Sequence, residues 1–168
     1  YESFNWQHGV FVGATMASER TAAQVGKQGE VRRDPMAMLP FCGYNMGWYF
    51  EHWLKLGKKM TNPPKIFHVN WFRIDEQGKF MWPGFGENLR VLEWIMDRCR
   101  RTAGAKQTPI GFIPRSENID LAGLEYQNEQ LEKVLAIDPK DWQEEALDIE
   151  KFFSTFGKDL PKELSAEL

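Results

Sequence analysis

Apolar residues recur at helical spacing in several segments of the chain, and capping residues mark where these helices begin. After Asn45, a good helix-capping residue, the spacing predicts a helix with one buried apolar face. That face comprises Met46, Tyr49, Phe50, Trp53 and Leu54. A second helix is predicted after Gly86, with acidic residues early and arginines late, as the helix dipole favours. Its apolar stripe comprises Leu89, Leu92, Ile95, Met96 and Cys99.

Two more helices are predicted in the last third of the chain. The segment QNEQLEKVLAI has helical spacing. The segment PKDWQEEALDIEKFFSTFG follows Asp138 and begins with Pro139, a good cap and first-turn pair. We expect this last helix to end at Gly157.

Other segments have extended or irregular patterns. The alternating run KIFHVNWF is the strongest strand candidate, and KQTPIGFIP predicts a short extended stretch. The run HGVFVGATM is compatible with a strand or with a buried helix, because periodicity alone does not separate the two. The segment ASERTAAQVGKQGEVRRDP has no apolar stripe, and we expect a mobile surface loop there. The pattern therefore predicts a mixed α/β fold, with several helices around a few short strands.

Length and composition favour one compact domain over residues 1–168. The chain has 168 residues, of which 42% are hydrophobic and 14% aromatic, and this is ample material for a core. We find no internal repeat, low-complexity tract or clear domain boundary. We therefore expect a single folded unit.

Charge and cysteine usage exclude several classes of partner. A net charge of -3 and a sequence pI near 5.7 argue against a nucleic-acid-binding or anionic-membrane surface, since both require a basic excess. The sequence has neither a signal-like N-terminus nor an apolar run of the ~20 residues that a membrane span needs. Cys42 and Cys99 are far apart and each lies in an apolar setting, so we expect buried free thiols and a cytoplasmic location.

The segment 71–88 concentrates aromatic residues among residues typical of turns. Trp71, Phe72, Phe80, Trp82 and Phe85 accompany Gly78, Pro83, Gly84 and Gly86. In one interpretation the rings plug the end of a core. In the other they form a base pocket, in which rings stack on the faces of a nucleobase and Asn88 binds its polar edge. The sequence leaves both interpretations open.

The segment 18–29 has the composition of a lid, although a plain solvated loop is the alternative. Its small residues lose little side-chain entropy on ordering, so such a lid can close, exclude water and reopen. The chain has no GxxxxGK[ST] phosphate loop, HExxH pair, GxSxG elbow or CxxC motif. His8, His52 and His68 are not at metal-ligand spacings, and we expect no metal site. The pair Arg32 and Arg33 suits a salt bridge better than a phosphate site.

Several segments together resemble the C-terminal part of GTP-dependent phosphoenolpyruvate carboxykinase. The matching segments are WQHGVFVGATMASE, RRDPMAMLPFCGYN, FHVNWFR and FMWPGFGENLRVLEWIMDR. The motif WPGFGEN after an aromatic segment is the most specific of them. TPIGFIP and the closing helices fit the end of that family's chain.

The resemblance implies a function and a set of site residues. The family decarboxylates oxaloacetate and transfers the γ-phosphoryl group of GTP to the resulting enolate, producing phosphoenolpyruvate, carbon dioxide and GDP for gluconeogenesis, with Mn²⁺ or Mg²⁺. By resemblance the guanine-pocket loop spans about 71–88, with the base held by Trp71, Phe72, Phe80, Phe85 and Asn88. The lid spans about 19–29 and includes Glu19, Arg20, Thr21, Ala22, Ala23 and Gly29, whose role is closure.

The family's phosphate loop, metal ligands and substrate-binding arginines lie upstream of the matching region. We therefore expect this chain to be the C-terminal portion of a monomeric enzyme, inactive without the N-terminal part that completes it. A second hypothesis is a non-catalytic module whose aromatic pocket binds a ligand or partner. A third is that the rings belong to the core and bind nothing.

Overall fold

The computed structural model describes residues 1–19 and 31–168, and the chain divides into two compact units. Unit 1 comprises Tyr1–Phe4 and Lys65–Asp138, and unit 2 comprises Asn5–Pro64 and Pro139–Leu168. The prediction that residues 1–168 form a single unit stays a prediction.

The described residues include helices and short antiparallel strands, which confirms the mixed α/β class. The helices are α1 (Trp6–Ala14), α2 (Met46–Gly57), α3 (Asn88–Arg100), α4 (Asn128–Leu135), α5 (Pro139–Ser154) and α6 (Lys162–Ser165). The strands are β1 (Ala17–Glu19), β2 (Val31–Arg33), β3 (Lys106–Thr108) and β4 (Gly111–Ile113). Strand β1 pairs with β2, and β3 pairs with β4.

In unit 2, helices α1, α2 and α5 supply most of a shared apolar core. Its buried residues are Val10, Ala14, Met46, Phe50, Leu54, Ile149, Phe153, Phe156 and Leu164. The side chain of Asn45 accepts a hydrogen bond from the backbone N–H of Gly47 (2.9 Å) and caps α2, as predicted. The undecided run HGVFVGATM lies mostly in α1, where Asn5 accepts from the backbone N–H of His8 (2.9 Å).

In unit 1, the core is built around two tryptophans. Trp82, Trp94, Ile119 and Leu131 are buried together. The side chain of Glu2, also buried, makes ion pairs with Lys65 and with Arg98 and so ties the N-terminal segment to this unit.

The predicted helix after Gly86 is confirmed as α3, but most of its predicted apolar stripe faces solvent. Leu89, Leu92 and Met96 are exposed, as is Cys99, so the prediction of a buried thiol at Cys99 is wrong. The helix instead buries Trp94, whose indole N–H donates to the carbonyl oxygen of Gly104 (3.2 Å). An indole removes more apolar area from water than a leucine or methionine does, so Trp94 decides which face turns inward.

The other two predicted helices are present, and the last one is shorter than predicted. Helix α4 lies within the predicted segment, and α5 begins at Pro139 but ends at Ser154. A 3-10 turn, Gly157–Asp159, follows, with Gly157 at a φ of 57°.

The strand prediction for KIFHVNWF is wrong. Phe67 makes a single antiparallel bridge with Glu2, and the N–H of Ser3 donates to the carbonyl oxygen of Ile66 (2.9 Å). The partner segment ends after a few residues, and Asn70 then accepts from the backbone N–H of Phe72 (3.0 Å) and turns the chain. A longer strand therefore has no ladder to join.

The loop prediction for residues 17–35 is wrong at its two ends. Strands β1 and β2 pair there, with Ala17 opposite Arg33 and Glu19 opposite Val31. Backbone hydrogen bonds stabilise these strands, so they need no apolar stripe of their own.

Candidate functional site

A short hairpin in unit 1 carries two of the predicted pocket rings. Ile74 and Phe80 form an antiparallel bridge. At the tip, the Oδ1 atom of Asp75 accepts from the backbone N–H groups of Gln77 and Lys79 (2.9 Å each). Gly78 has a φ of 75°, which a glycine adopts without strain. The hairpin therefore has a turn defined by its own sequence.

Hydrogen bonds from two side chains hold the hairpin at its base. Arg73 donates through Nη1 to the carbonyl oxygens of Val134 (2.6 Å) and Ala136 (2.9 Å), at the C-terminal end of α4. Tyr126 donates through its hydroxyl to the carbonyl oxygen of Met81 (2.6 Å). Both sides of the hairpin are thus attached to the segment 126–136.

The aromatic residues of this region separate into a core group and an exposed group. Trp82 is buried, and Trp71 is partly buried against the same core. Phe72 and Phe80 are 72% and 65% exposed, and their ring centroids are 6.1 Å apart at an interplanar angle of 59°. Each interpretation of the aromatic loop therefore describes some of its rings.

Phe85 is the most exposed of these rings. Its exposed fraction is 94%, and its φ of 49° is unusual for a bulky residue. Gly84, just before it, has φ 76° and ψ -164°, a region open essentially only to glycine. Strain at a position that contributes no burial suggests a role outside folding.

Asn88, the first residue of α3, is the amide that the sequence analysis placed at the polar edge of a base. Its Oδ1 atom accepts a hydrogen bond from the indole Nε1 of Trp82 (2.9 Å). Phe85 and Asn88 are separated by the turn Phe85–Glu87 that leads into α3. An exposed ring and a carboxamide are therefore presented within one turn of each other.

The predicted lid residues Arg20, Thr21, Ala22, Ala23 and Gly29 lie outside the described residues. Glu19 is described and is the exposed last residue of β1.

The chain on both sides of residues 20–30 is held by buried polar contacts. Asp34 is buried and accepts from the hydroxyl of Ser18 (2.7 Å) and from the backbone N–H of Leu39 (3.0 Å). Its own N–H donates to the carbonyl oxygen of Met16 (2.8 Å). One carboxylate therefore joins the two ends of this segment.

Arg33, at the end of β2, makes a second attachment. It donates to the carbonyl oxygen of Thr15 (2.8 Å) and forms ion pairs with Glu145 (2.8 Å) and Asp148 (2.6 Å) on α5. Burial opposes the charge of the guanidinium, but the bonds to the two carboxylates outweigh it and raise the pKa of Arg33. The salt-bridge interpretation of Arg33 is confirmed.

Within residues 1–19 and 31–168, no group of three or more His, Cys, Asp or Glu side chains is arranged to hold a metal ion. A cleft of about 400 Å³ lies between α3 and residues 116–121 in unit 1. Its lining includes Glu93, Asp97, Glu117 and Asp120, and such carboxylates disfavour an anionic ligand.

The sequence pattern does not indicate the residues that hold the site in place. It predicts no role for Arg73 or Tyr126, and it presents Trp82 only as a ring near the pocket. Only the position of Trp82, six residues before Asn88, was a signal in the sequence. Arg73 and Tyr126 bind backbone atoms distant in the chain, so no local pattern indicates them.

Comparison with known proteins identifies related chains. All of residues 1–168 match the family described as phosphoenolpyruvate carboxykinase C-terminal P-loop domain. The chain is 53% identical over 167 residues to phosphoenolpyruvate carboxykinase (GTP) of Thermoplasma volcanium. It is 51% identical over 172 residues to the Chlamydia muridarum protein and 48% identical over 166 residues to the Anaeromyxobacter dehalogenans protein, which carry the same name. These matches cover 99–100% of the chain and 28% of each relative.

Proposed function

Because the chain belongs to the phosphoenolpyruvate carboxykinase C-terminal P-loop domain family, we propose that it contributes the guanine pocket and the lid of a GTP-dependent phosphoenolpyruvate carboxykinase. In this reaction oxaloacetate loses carbon dioxide, and the enolate oxygen takes the γ-phosphoryl group of GTP to form phosphoenolpyruvate and GDP. The chain spans about 28% of the length of its relatives, so the rest of the enzyme supplies the remaining groups. The comparisons do not favour the alternative of a stand-alone binding module.

The exposure of Phe72, Phe80 and Phe85 is the observation that carries the proposal. A base held between two parallel rings needs about 7 Å between them, twice the usual contact distance of ~3.5 Å. Phe72 and Phe80 are 6.1 Å apart and tilted, so the base does not fit between them. We place one face of guanine on this pair and the other face on Phe85.

Trp71 has a different role in this arrangement from the one that the resemblance implies. It is partly buried against Trp82 and its neighbours, so it supports the pocket from the core side. Asn88 binds the polar edge of the base. Guanine presents a carbonyl oxygen at position 6, and the amide of Asn88 supplies a hydrogen-bond donor for it.

The lid protects the enolate. In open water the enolate would be protonated to pyruvate before it received a phosphoryl group, and closure of residues 19–29 excludes that water. A divalent cation, Mn²⁺ or Mg²⁺, neutralises the phosphates when it is bound. The described residues do not offer a donor set for it, and we assign its ligands, with those of oxaloacetate, to the upstream part of the enzyme.

We also propose a cytoplasmic location. Cys42 and Cys99 are free thiols in the structure, and free cysteines are usual in a reducing compartment. No helix among the described residues is long and apolar enough to cross a membrane. Fractionation of cells that express the full-length protein tests the location. Recovery of the protein from an oxidising compartment would contradict it.

Nucleotide titration of the isolated chain tests the pocket, with the fluorescence of its seven tryptophans as the signal. We expect saturable binding of GDP and a much weaker response to ADP. Replacement of Phe85 by alanine removes a stacking face and should weaken GDP binding by ~1 to 3 kcal/mol. Phe41→Ala is the matched control, since Phe41 is also a highly exposed phenylalanine but lies in unit 2. Equal affinities of the Phe85 variant and the control for GDP would show that Phe85 is not part of the pocket.

A chimera tests the activity. This chain would replace the matching segment of the Thermoplasma volcanium relative, to which it is 53% identical. We expect phosphoenolpyruvate formation that requires both oxaloacetate and GTP. A folded chimera that binds GTP but forms no phosphoenolpyruvate would count against the proposed reaction while leaving the pocket intact.

A further inference from the structure

The hydrogen bond between Trp82 and Asn88 determines which atom of the asparagine amide faces away from the core. An indole N–H donates and does not accept hydrogen bonds. The bond of 2.9 Å therefore requires the carbonyl oxygen Oδ1 of Asn88 to point toward Trp82. The amide nitrogen Nδ2, a donor, is left on the opposite side.

The indole that sets this orientation is itself held in place. Trp82 is buried in the core of unit 1, and its ring meets that of Tyr126 edge to face at 5.5 Å. Tyr126 is attached in turn to the carbonyl oxygen of Met81, the residue before Trp82. Rotation of the indole would break this packing, so its N–H is a fixed reference for the amide.

The backbone of Asn88, from which the side chain projects, is fixed as well. Asn88 has helical backbone angles, with φ -60° and ψ -26°, as the first residue of α3. With its backbone and one amide atom both held, the side chain retains one main orientation. A half turn of the amide would bring two N–H groups face to face, which is unfavourable.

We propose that Trp82 is a positioning residue that sets selectivity for the group at position 6 of a purine, by holding Asn88 with its donor outward. This inference rests on the proposed function, because it takes the base to lie beside Asn88. Guanine and hypoxanthine carry an oxygen at position 6, which accepts a hydrogen bond. Adenine carries an amino group there, which donates and therefore opposes the Nδ2 group of Asn88.

Trp82→Phe tests this role, because it retains an aromatic ring in the core and removes only the N–H donor and part of the ring. IDP and ADP are the probes, since both lack the 2-amino group and differ on the edge that includes position 6. We expect the wild-type chain to prefer IDP. In Trp82→Phe the amide turns freely, and the ratio of the two dissociation constants should shrink by about 2- to 12-fold, the worth of one hydrogen bond.

Introducing Trp82→Phe into a second variant, Asn88→Asp, distinguishes a positioning role of Trp82 from a general loss of structure. Asn88→Asp has two acceptor oxygens, so it keeps the bond from Trp82 but presents an acceptor outward, and its preference should shift toward ADP. Because the two carboxylate oxygens are equivalent, adding Trp82→Phe should leave the IDP-to-ADP ratio of Asn88→Asp unchanged. If the tryptophan were merely structural, its replacement would change the ratio equally in both backgrounds.

The outcomes distinguish this inference from the proposed function. A wild-type chain with no preference for IDP over ADP would contradict the guanine pocket itself. A wild-type chain with that preference, and a Trp82→Phe variant with the same ratio, would overturn the inference and leave the pocket standing.

The orientation is also measurable without a ligand. In an NMR spectrum of the free chain, the indole proton of Trp82 should show no strong nuclear Overhauser effect to the amide protons of Asn88, because those protons lie on the far side. A strong effect between them would show the reversed amide and overturn the inference.

Discussion

At the scale of single residues, exposure separates side chains that the sequence presents as alike. Trp71, Phe72, Phe80, Trp82 and Phe85 are all large rings in one short segment, and their spacing leaves open whether they plug a core or form a base pocket. In the structure Trp82 is buried, whereas Phe85 is almost fully exposed. The buried ring stabilises the core of unit 1, and the exposed ring is available to a ligand. The residue type does not decide between these roles, because either ring could be buried or exposed.

His8 provides a prediction about pH at the same scale. Burial lowers the pKa of the His8 imidazole below its usual 6.5, although the charge of Glu167 opposes the shift. The unfolded chain therefore binds a proton more readily than the folded chain does. The contribution of neutral His8 to stability is present above pH ~6.5 and is lost as the pH falls through the lower folded value.

We expect the melting temperature of the wild-type chain to fall more, between about pH 7.5 and about pH 5.5, than that of His8→Gln. Circular dichroism melts at the two pH values give this difference. His52→Gln is the control, because His52 is exposed on α2, and it should behave like the wild type. Equal pH dependence of the wild type and His8→Gln would show that His8 does not contribute.

At the scale of secondary-structure elements, the aromatic hairpin depends on attachments from outside itself. Its turn is defined locally by Asp75 and Gly78, but Arg73 and Tyr126 hold its two sides against the segment 126–136. An isolated two-stranded hairpin is marginal in water. The attachments therefore determine how well Phe72 and Phe80 are positioned.

Tyr126→Phe should loosen the hairpin, because it removes the hydrogen bond to the carbonyl oxygen of Met81 and keeps the ring beside Trp82. We expect faster amide hydrogen exchange at residues 74–81 and a local stability loss of about 0.5 to 1.5 kcal/mol, the net worth of one such bond. Exchange measured by mass spectrometry checks this. Tyr44→Phe, at an exposed tyrosine of unit 2, should leave the hairpin unchanged, and identical exchange in the two variants would contradict the role of Tyr126.

The strands β1 and β2 show a similar dependence on distant groups. Backbone pairing joins Ser18 to Arg32, but the contacts that hold the pair come from Asp34 and from the carboxylates of α5. Glu19 and Val31, the described residues on either side of residues 20–30, therefore lie opposite each other. This arrangement suits the lid that we propose.

At the scale of the whole molecule, the stripe on α3 is an apolar surface that the sequence pattern predicted to be buried and that is mostly exposed. Leu89, Leu92 and Met96 are exposed on one face of the helix. Contiguous exposed apolar side chains favour association with another surface. We therefore expect the isolated chain to self-associate as its concentration rises.

Gel filtration across a wide concentration range tests this expectation. The double substitution Leu89→Gln and Met96→Gln should shift the equilibrium toward monomer, because it removes apolar area from the stripe. Leu147→Gln is the matched control, since Leu147 is equally exposed but lies on α5 in unit 2. A wild-type chain that elutes as a monomer at every concentration would contradict the prediction.

The sequence by itself determined the elements whose signals are local. Asn45 and the apolar spacing after it defined α2, Pro139 marked the start of α5, and the motif WPGFGEN carried the family assignment. Helix caps and i, i+4 contacts involve residues a few positions apart. Such signals can therefore be recognised in a single sequence.

Only the tertiary structure decided which surfaces are buried and how the site is held. Burial of Trp94 in place of Leu89 depends on distant residues such as Gly104, and the bridge of Phe67 depends on Glu2. The orientation of Asn88 depends on the position of the indole N–H of Trp82 in the fold. Burial and hydrogen bonding between distant segments result from competition among contacts across the whole fold. The spacing of residues along the chain does not indicate which of these contacts form.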